Sequence, residues 1–297
     1  MPVAFTRNRR RWFMGGGFAL LSALCYSTLP SLAKIVYGAG LDVLDALSLR
    51  FLLAAGALWA LALLRRELPR LPARPYLTLL ALLGAGIYGP LAICFFLSVQ
   101  RLPASLAAMI FYVYPLLVTV LSVIVLHERF TGPRGLALVL GLAGCYLLLD
   151  VQTASGDLIG VWWAVAAATL YALHYTLSQK LLEHIESPVT ALYVVTFAAA
   201  LLVVLRPPWE ALAHLTAPLP GLVAVLGLGL IATAASMGFF FLAVERIGGW
   251  RTALIGVIEP LGAVVLAVWF LGETLSAGQL LGGALIVSAA LVAQWFG

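Results

Sequence analysis

Residues 84–128 read GAGIYGPLAICFFLSVQRLPASLAAMIFYVYPLLVTVLSVIVLHE, and residues 229–273 read GLIATAASMGFFFLAVERIGGWRTALIGVIEPLGAVVLAVWFLGE. Superposed at a constant offset of 145, they pair Pro115 with Pro260, Arg101 with Arg246 and Glu128 with Glu273, and 15 of 45 positions are identical. Roughly four would agree by chance in so apolar a composition, so the segment is duplicated. Two like halves built from apolar helices can rock about a shared site, which is how many transporters work.

The same offset reaches outward, since Tyr26 lies 145 before Tyr171. It divides the chain into a basic N-terminal segment (1–12), a first five-helix repeat (13–149), a linker (150–156) and a second repeat (157–297). The 297 residues are 63% hydrophobic and only 10% charged, with a mean hydropathy of +1.08. A soluble domain carries about 25% charged residues, so this chain is built for lipid. Its net charge of +5 sits in short basic clusters, which suit an anionic lipid surface rather than nucleic acid. Cys25, Cys94 and Cys145 lie in apolar stretches at spacings that match no metal site, and they read as small hydrophobes. Neither a metal nor a cofactor is implied. The arginines at 7 and 9–11 followed by an apolar run resemble a signal peptide, but the run from Phe13 to Tyr37 is too long for one and belongs to the repeat.

Ten segments are long enough to cross the bilayer: 13–37, 43–64, 76–99, 103–126, 133–149, 157–180, 188–205, 219–245, 249–271 and 276–296. Glycine and proline mark the short loops between them. The runs lack period-2 alternation, so a β-barrel is excluded. With the N-terminus cytoplasmic, 13 basic residues fall on inner segments and only Arg101 and Arg206 on outer ones. Such a split places both termini in the cytoplasm. Five helices per half is an odd number, so the second repeat is inverted relative to the first. The expected fold is an all-α integral membrane protein with ten transmembrane helices arranged as two inverted-topology five-helix repeats.

The second helix opens with Leu49-Arg50-Phe51-Leu52-Leu53, and the fourth and ninth carry Tyr114-Pro115 and Glu259-Pro260 in mid-span. The same two helices close on Leu126-His127-Glu128 and Leu271-Gly272-Glu273, and the fifth and tenth are glycine-rich. This set resembles the ten-helix, EamA-type drug/metabolite transporter superfamily. The chain departs from that pattern at His127, where a glycine would stand, and at Val195, which sits opposite Arg50. The resemblance implies an inner-membrane secondary transporter that exports small metabolites by alternating access, and it looks most like the exporters of amino acids, aromatic ones included. Multidrug efflux of cationic or aromatic compounds on the same fold is the alternative. A membrane-embedded enzyme would need a motif such as HExxH or a nucleophile elbow, and a channel would need a polar filter; the sequence has none of these.

On the sixth helix Trp163, Ala167, Tyr171, His174 and Ser178 fall within about 80° of one another at 100° per residue. An imidazole is costly in lipid unless it faces protein or water, so this stripe is a candidate cavity wall. Its alternative reading is a hydrogen bond across a helix contact. The first helix carries the equivalent stripe around Tyr26, with Pro30 expected to kink it. Tyr26 and Tyr171 are expected to face each other across the pseudo-axis, sandwiching an aromatic or thioether side chain. Tyr88 and Thr233 occupy equivalent positions on the third and eighth helices, with Met237 and Phe240 one and two turns beyond Thr233. Tyr112 lies close in depth to Pro115. Glu259, in mid-span beside a proline, could bind a substrate ammonium, carry a proton, or cap the backbone that Pro260 frees. Pro30, Pro90, Pro115 and Pro260 are the expected hinges. Glu128 and Glu273 are expected to satisfy free helix N–H groups. Lys34 and Arg50 are expected to snorkel or to pair with Asp42 or Asp45, with binding of a substrate carboxylate as the alternative reading. The Gly278-xxx-Gly282 pattern suits scaffold packing or a homodimer face.

Overall fold

Each apolar run predicted to cross the bilayer is helical wherever it is described in the computed structural model, which covers residues 3–66, 71–102, 107, 110–148, 157–209, 212, 219–262 and 277–296. In hydrocarbon, a helix is the form in which a single segment satisfies its own backbone hydrogen bonds. We number the spans α1 to α10. The first repeat holds α1 (Val3–Ser27 and Leu29–Gly38), α2 (Val43–Leu64), α3 (Arg74–Ala81, a π-helical Leu82–Tyr88, then Gly89–Arg101), α4 (Tyr114–Leu126) and α5 (Gly132–Leu148). The second holds α6 (Leu158–Leu181), α7 (Ser187–Leu205), α8 (Leu219–Gly229, a π-helical Leu230–Ala235, then Ser236–Ile247), α9 (Gly249–Gly256, continuing past a turn at Val257 to Gly262) and α10 (Ala277–Phe296). The N-terminal helix starts at Val3, about three turns before the expected boundary. Arginine is a good helix former, and nothing in residues 7–12 breaks the helix.

The ends follow from local chemistry. Asp42 caps α2 by accepting the Asp45 N–H at 2.7 Å, and Asp157 caps α6 by accepting from the N–H groups of Ile159 and Gly160. α4 stops at His127, which sits in the left-handed region at φ 54°, ψ 29°. This is the departure from glycine seen in the sequence, and a β-carbon there carries a conformational cost. Gly248, between α8 and α9, has φ 82° and ψ 164°, a region essentially closed to other residues.

Packing obeys the inverted two-fold. α1 lies against α8, and α6 lies against α3; α2 touches the π segment of α8, and α7 touches that of α3. On the pseudo-axis α2 pairs with α7, α4 with α9, and α5 with α10. The last pair forms the broadest helix–helix contact described. A Cβ built on Gly144 would stand 2.8 Å from the Gly282 carbonyl oxygen, 2.8 Å from Ile286 Cγ1 and 2.9 Å from the Ile286 nitrogen, so these backbones meet directly. Between helices in lipid, close van der Waals packing of this kind takes the place of a hydrophobic driving force. Gly282 is thus engaged within the chain, while Gly278 is exposed.

Breaks recur at equivalent positions. The π segments of α3 and α8 overlap at an offset of 145, and the turn at 112–113 before α4 matches the turn at Val257 in α9. Pro90, Pro115 and Pro260 each follow one of these breaks within three residues, and Pro30 follows the interruption of α1 at Thr28. Around that interruption the hydroxyls of Ser27 and Thr28 donate to the carbonyls of Leu24 and Cys25, both at 2.7 Å. α6 continues unbroken because Tyr175 stands where α1 has proline.

Candidate functional site

Tyrosines from four helices meet in the middle of the bundle. Tyr26 of α1 and Tyr88 at the end of the α3 π segment join hydroxyl to hydroxyl at 2.8 Å. Tyr114 of α4 packs on Tyr171 and Tyr175 of α6, with ring centroids 4.6 and 5.6 Å away. The Tyr114 hydroxyl donates to the Ala253 carbonyl of α9 at 3.4 Å, in space left by Gly256. All five phenols are buried.

His174 lies among Tyr88, Tyr171, Phe240 and Phe241, with centroids 5.1 to 6.3 Å away. It is 0% exposed, and neither ring nitrogen has a hydrogen-bond partner. Ser178, one turn on, is buried with its hydroxyl unpartnered as well. A neutral imidazole carries one donor and one acceptor, and leaving such groups dry is expensive.

Glu259 lies within the bundle and is partly buried. The Tyr112 hydroxyl lies beside its carboxyl.

Arg50 departs most from expectation. It neither snorkels nor pairs with Asp42 or Asp45. Both acids are taken by Arg206, at 3.4 and 2.7 Å. Arg50 is 3% exposed, and its Nε donates to Thr233 Oγ1 on the α8 π segment at 2.5 Å. Thr233 in turn donates to the Leu228 carbonyl, five residues back, which is the spacing of a π turn. The reason is geometric: Asp45 and Arg50 are five residues apart, about 140° around a helix, so they cannot share a face.

Of the residues predicted to line a cavity, Tyr26, Tyr88, Tyr112, Tyr171, His174 and Glu259 come together here, with Thr233 joined to them through Arg50 and Phe240 through His174. Met237 is buried in the same core, and Trp163 is half-buried at its edge. Tyr26 and Tyr171 make no ring contact with each other; each turns to a helix of the first repeat instead. Pro30 and Lys34 belong to α1, but their side chains, like all of Glu273, lie outside the described residues.

A second polar cluster closes one end of the bundle. Glu128 ion-pairs with Arg134 at 3.3 Å and accepts from Gln179 Nε2 at 2.8 Å, while Gln179 Oε1 accepts the Gly249 N–H at 2.6 Å. Arg134 also bonds Ser122 and stacks over Trp250. Contrary to expectation, Glu128 thus binds side chains and caps no helix; Gln179 caps α9. At the opposite end Asp157 pairs with Arg101 at 3.1 Å, and this hydrogen bond holds the Asp157 carboxyl below the usual carboxylate range. A separate apolar groove of about 400 Å³ runs between α2, α7 and α8 beside Arg65 and holds none of the tyrosine cluster.

Comparison with known proteins agrees with this architecture. The model of the EamA-like transporter family matches residues 13–150 and again 158–294. An uncharacterized transporter of Archaeoglobus fulgidus is 30% identical over 290 residues, covering 95% of this chain and 98% of its own. A protein of Salmonella typhimurium described as a probable amino-acid metabolite efflux pump is 26% identical over 242 residues, 76% of this chain and 79% of its own. One crystal structure superposes with a TM-score of 0.80 at 20% identity, covering 95% of this chain and 99% of that one, which shows a shared fold.

Proposed function

The chain belongs to the EamA-like transporter family, a multi-pass membrane protein that carries small molecules, and from that premise we propose that it exports amino acids from the cytoplasm. The favoured substrates are aromatic and other neutral amino acids such as methionine and threonine. Tyr26, Trp163, Tyr171 and His174 form the cage for the side chain, and Glu259 receives the ammonium. Lining roles fall also to Tyr88, Tyr112, Ser178, Thr233, Met237 and Phe240. The walls rock about the breaks before Pro30, Pro90, Pro115 and Pro260, while α5 and α10 stay as scaffold. The basic residues point both termini to the cytoplasm. The relative described as an amino-acid metabolite efflux pump supports the substrate class.

One observation carries the reading: a partly buried carboxyl at mid-membrane set among phenols. Ionisable groups at that depth mark solute pathways, and a wall of tyrosines offers both ring faces and hydroxyls. The decisive experiment is exchange of labelled amino acids across proteoliposomes of the purified protein. Exchange of phenylalanine or methionine above protein-free vesicles is expected. Failure with every amino acid, alongside transport of cationic dyes, would replace this reading with drug efflux. Facilitated diffusion needs no ion site, whereas proton exchange requires Glu259 or His174 to titrate; Glu259→Gln, assayed against pH, separates the two.

A further inference from the structure

A buried cation without an anion needs an explanation. Arg50 is 3% exposed, yet no carboxylate among the described residues lies within ion-pair distance of it. The acids nearest in sequence, Asp42 and Asp45, are engaged by Arg206. Nε donates to Thr233, the Tyr88 hydroxyl lies nearby, and no carboxylate among the described residues pairs with the guanidinium. Phe51 and Phe96 flank the guanidinium at 5.1 and 5.9 Å and lend only ring faces. Taking a charge out of water costs several kcal/mol unless something compensates it. The free edge of a guanidinium is a fork matched to carboxylate.

Glu259 stands in the same core, near enough for its charge to interact with that of Arg50. The two do not touch. Tyr88, bonded to Tyr26, feels both charges, with Arg50 at hydrogen-bonding reach. Two opposite charges in one core of phenols, not paired with each other, are complementary to a molecule carrying both signs a few ångströms apart. They are mismatched to a plain cation or a plain anion, since each would leave one buried charge facing its like.

We infer that Arg50 is the carboxylate anchor of the substrate site and that, with Glu259, it selects zwitterionic α-amino acids over their amides, amines and acids. This rests on the amino-acid reading above and adds to it a specificity-determining residue. It also explains the Thr233 bond: held by Nε to the π segment of the opposite repeat, the guanidinium couples α2 to α8.

The test is counterflow of tritiated L-phenylalanine in proteoliposomes, with L-phenylalaninamide (no carboxylate) and hydrocinnamate (no ammonium) as competitors against unlabelled L-phenylalanine. In the wild type each analogue is expected to compete at least about 30-fold more weakly than phenylalanine, the loss that follows from stranding one member of a buried charge pair. Arg50→Gln should lower phenylalanine counterflow and collapse its preference over the amide towards unity, while the preference over hydrocinnamate persists. A purely structural arginine would lower counterflow and leave the ratio unchanged. If the amide competes as well as phenylalanine in the wild type, the anchor is refuted and amino-acid export stands. If no amino acid exchanges at all, both fall. Should Arg50→Gln not fold, the wild-type ratios decide alone.

Discussion

Replacing His174 by leucine should make the protein more stable and worse at transport. His174 is fully buried, and both ring nitrogens are without partners. Leaving a buried donor and acceptor unsatisfied costs about 1–3 kcal/mol. Leucine has nearly the same volume, so it removes that cost without overpacking. Against this, the ring contacts with Tyr88 and Phe240, both at 5.1 Å, are lost, and aromatic pairs are worth about 0.5–1.5 kcal/mol. The balance favours the variant by about 1 kcal/mol, or roughly 2–4 °C in melting temperature for a domain of this size class. His174→Gln keeps a polar head in the same dry place and should gain nothing. Both are measured as apparent melting temperatures of detergent-purified protein, with counterflow in proteoliposomes alongside. A His174→Leu variant that melts lower than wild type and transports normally would show that the imidazole has structural partners and no part in the site.

Other perturbations test the frame around the site. Gly144→Ala puts a methyl group 2.8 Å from the backbone of α10 and should cost about 1–3 kcal/mol in thermal stability, whereas Gly56→Ala, with nothing within 4 Å, should be neutral or stabilising. His127→Gly relieves a left-handed residue and should raise the melting temperature slightly, by about 0.5–1 kcal/mol, because the strain relieved outweighs the added freedom of the unfolded chain. Gln179→Leu strips partners from both the Glu128 carboxyl and the Gly249 N–H and should destabilise by about 1–3 kcal/mol, read from the same melts. Because Asp157 titrates lower when folded, the stability it confers is present above the ordinary aspartate range and is lost as pH falls through its lowered value. Asp157→Asn should therefore lower stability slightly at neutral pH and flatten the acid limb of the melting-temperature profile below about pH 4, so that variant and wild type converge in acid.

The fold was legible because lipid imposes simple rules: apolar length sets the spans, and the 145-residue offset sets the repeat. The tyrosine cluster was legible in part. Helical spacing put Tyr171, His174 and Ser178 on one face of α6, and all three are buried. What spacing could not give was partners across helices. The Tyr26–Tyr88 bond spans 62 residues and the Arg50–Thr233 bond 183, and neither leaves a periodic trace. For Arg50 the sequence offered a carboxylate-binding reading, and the signal favouring it over an ion pair was negative: a cation in the first half of α2 with no acid three or four residues away on its own helix. The π segment of α3 was foreshadowed by Gly84, Gly86 and Gly89. That of α8, LIATAA, contains no glycine, and its wider turn is instead marked by the Thr233 hydroxyl on the Leu228 carbonyl.

Duplication gave the two halves one frame, and divergence filled it unequally. Tyr26 and Tyr171 are retained at equivalent positions, but Arg50 faces Val195 in the alignment, Tyr88 faces Thr233, Tyr114 faces Glu259, and Leu29 faces His174. A symmetric site would present the same groups twice, a poor fit for a solute with distinct ends. Here the first repeat supplies the cation and most of the phenols. The second supplies the carboxyl, the imidazole and the hydroxyl that fixes the cation. The groups that differ between the repeats are those gathered at the centre, while those that repeat, the proline-marked breaks of α4 and α9 and the π segments of α3 and α8, are the ones a rocking bundle must keep in register. The proposed transport cycle thus assigns selectivity to the differences between the halves and movement to their likeness. Restoring symmetry at one polar position, as in Glu259→Tyr, should impair recognition of the ammonium while leaving the folded bundle intact.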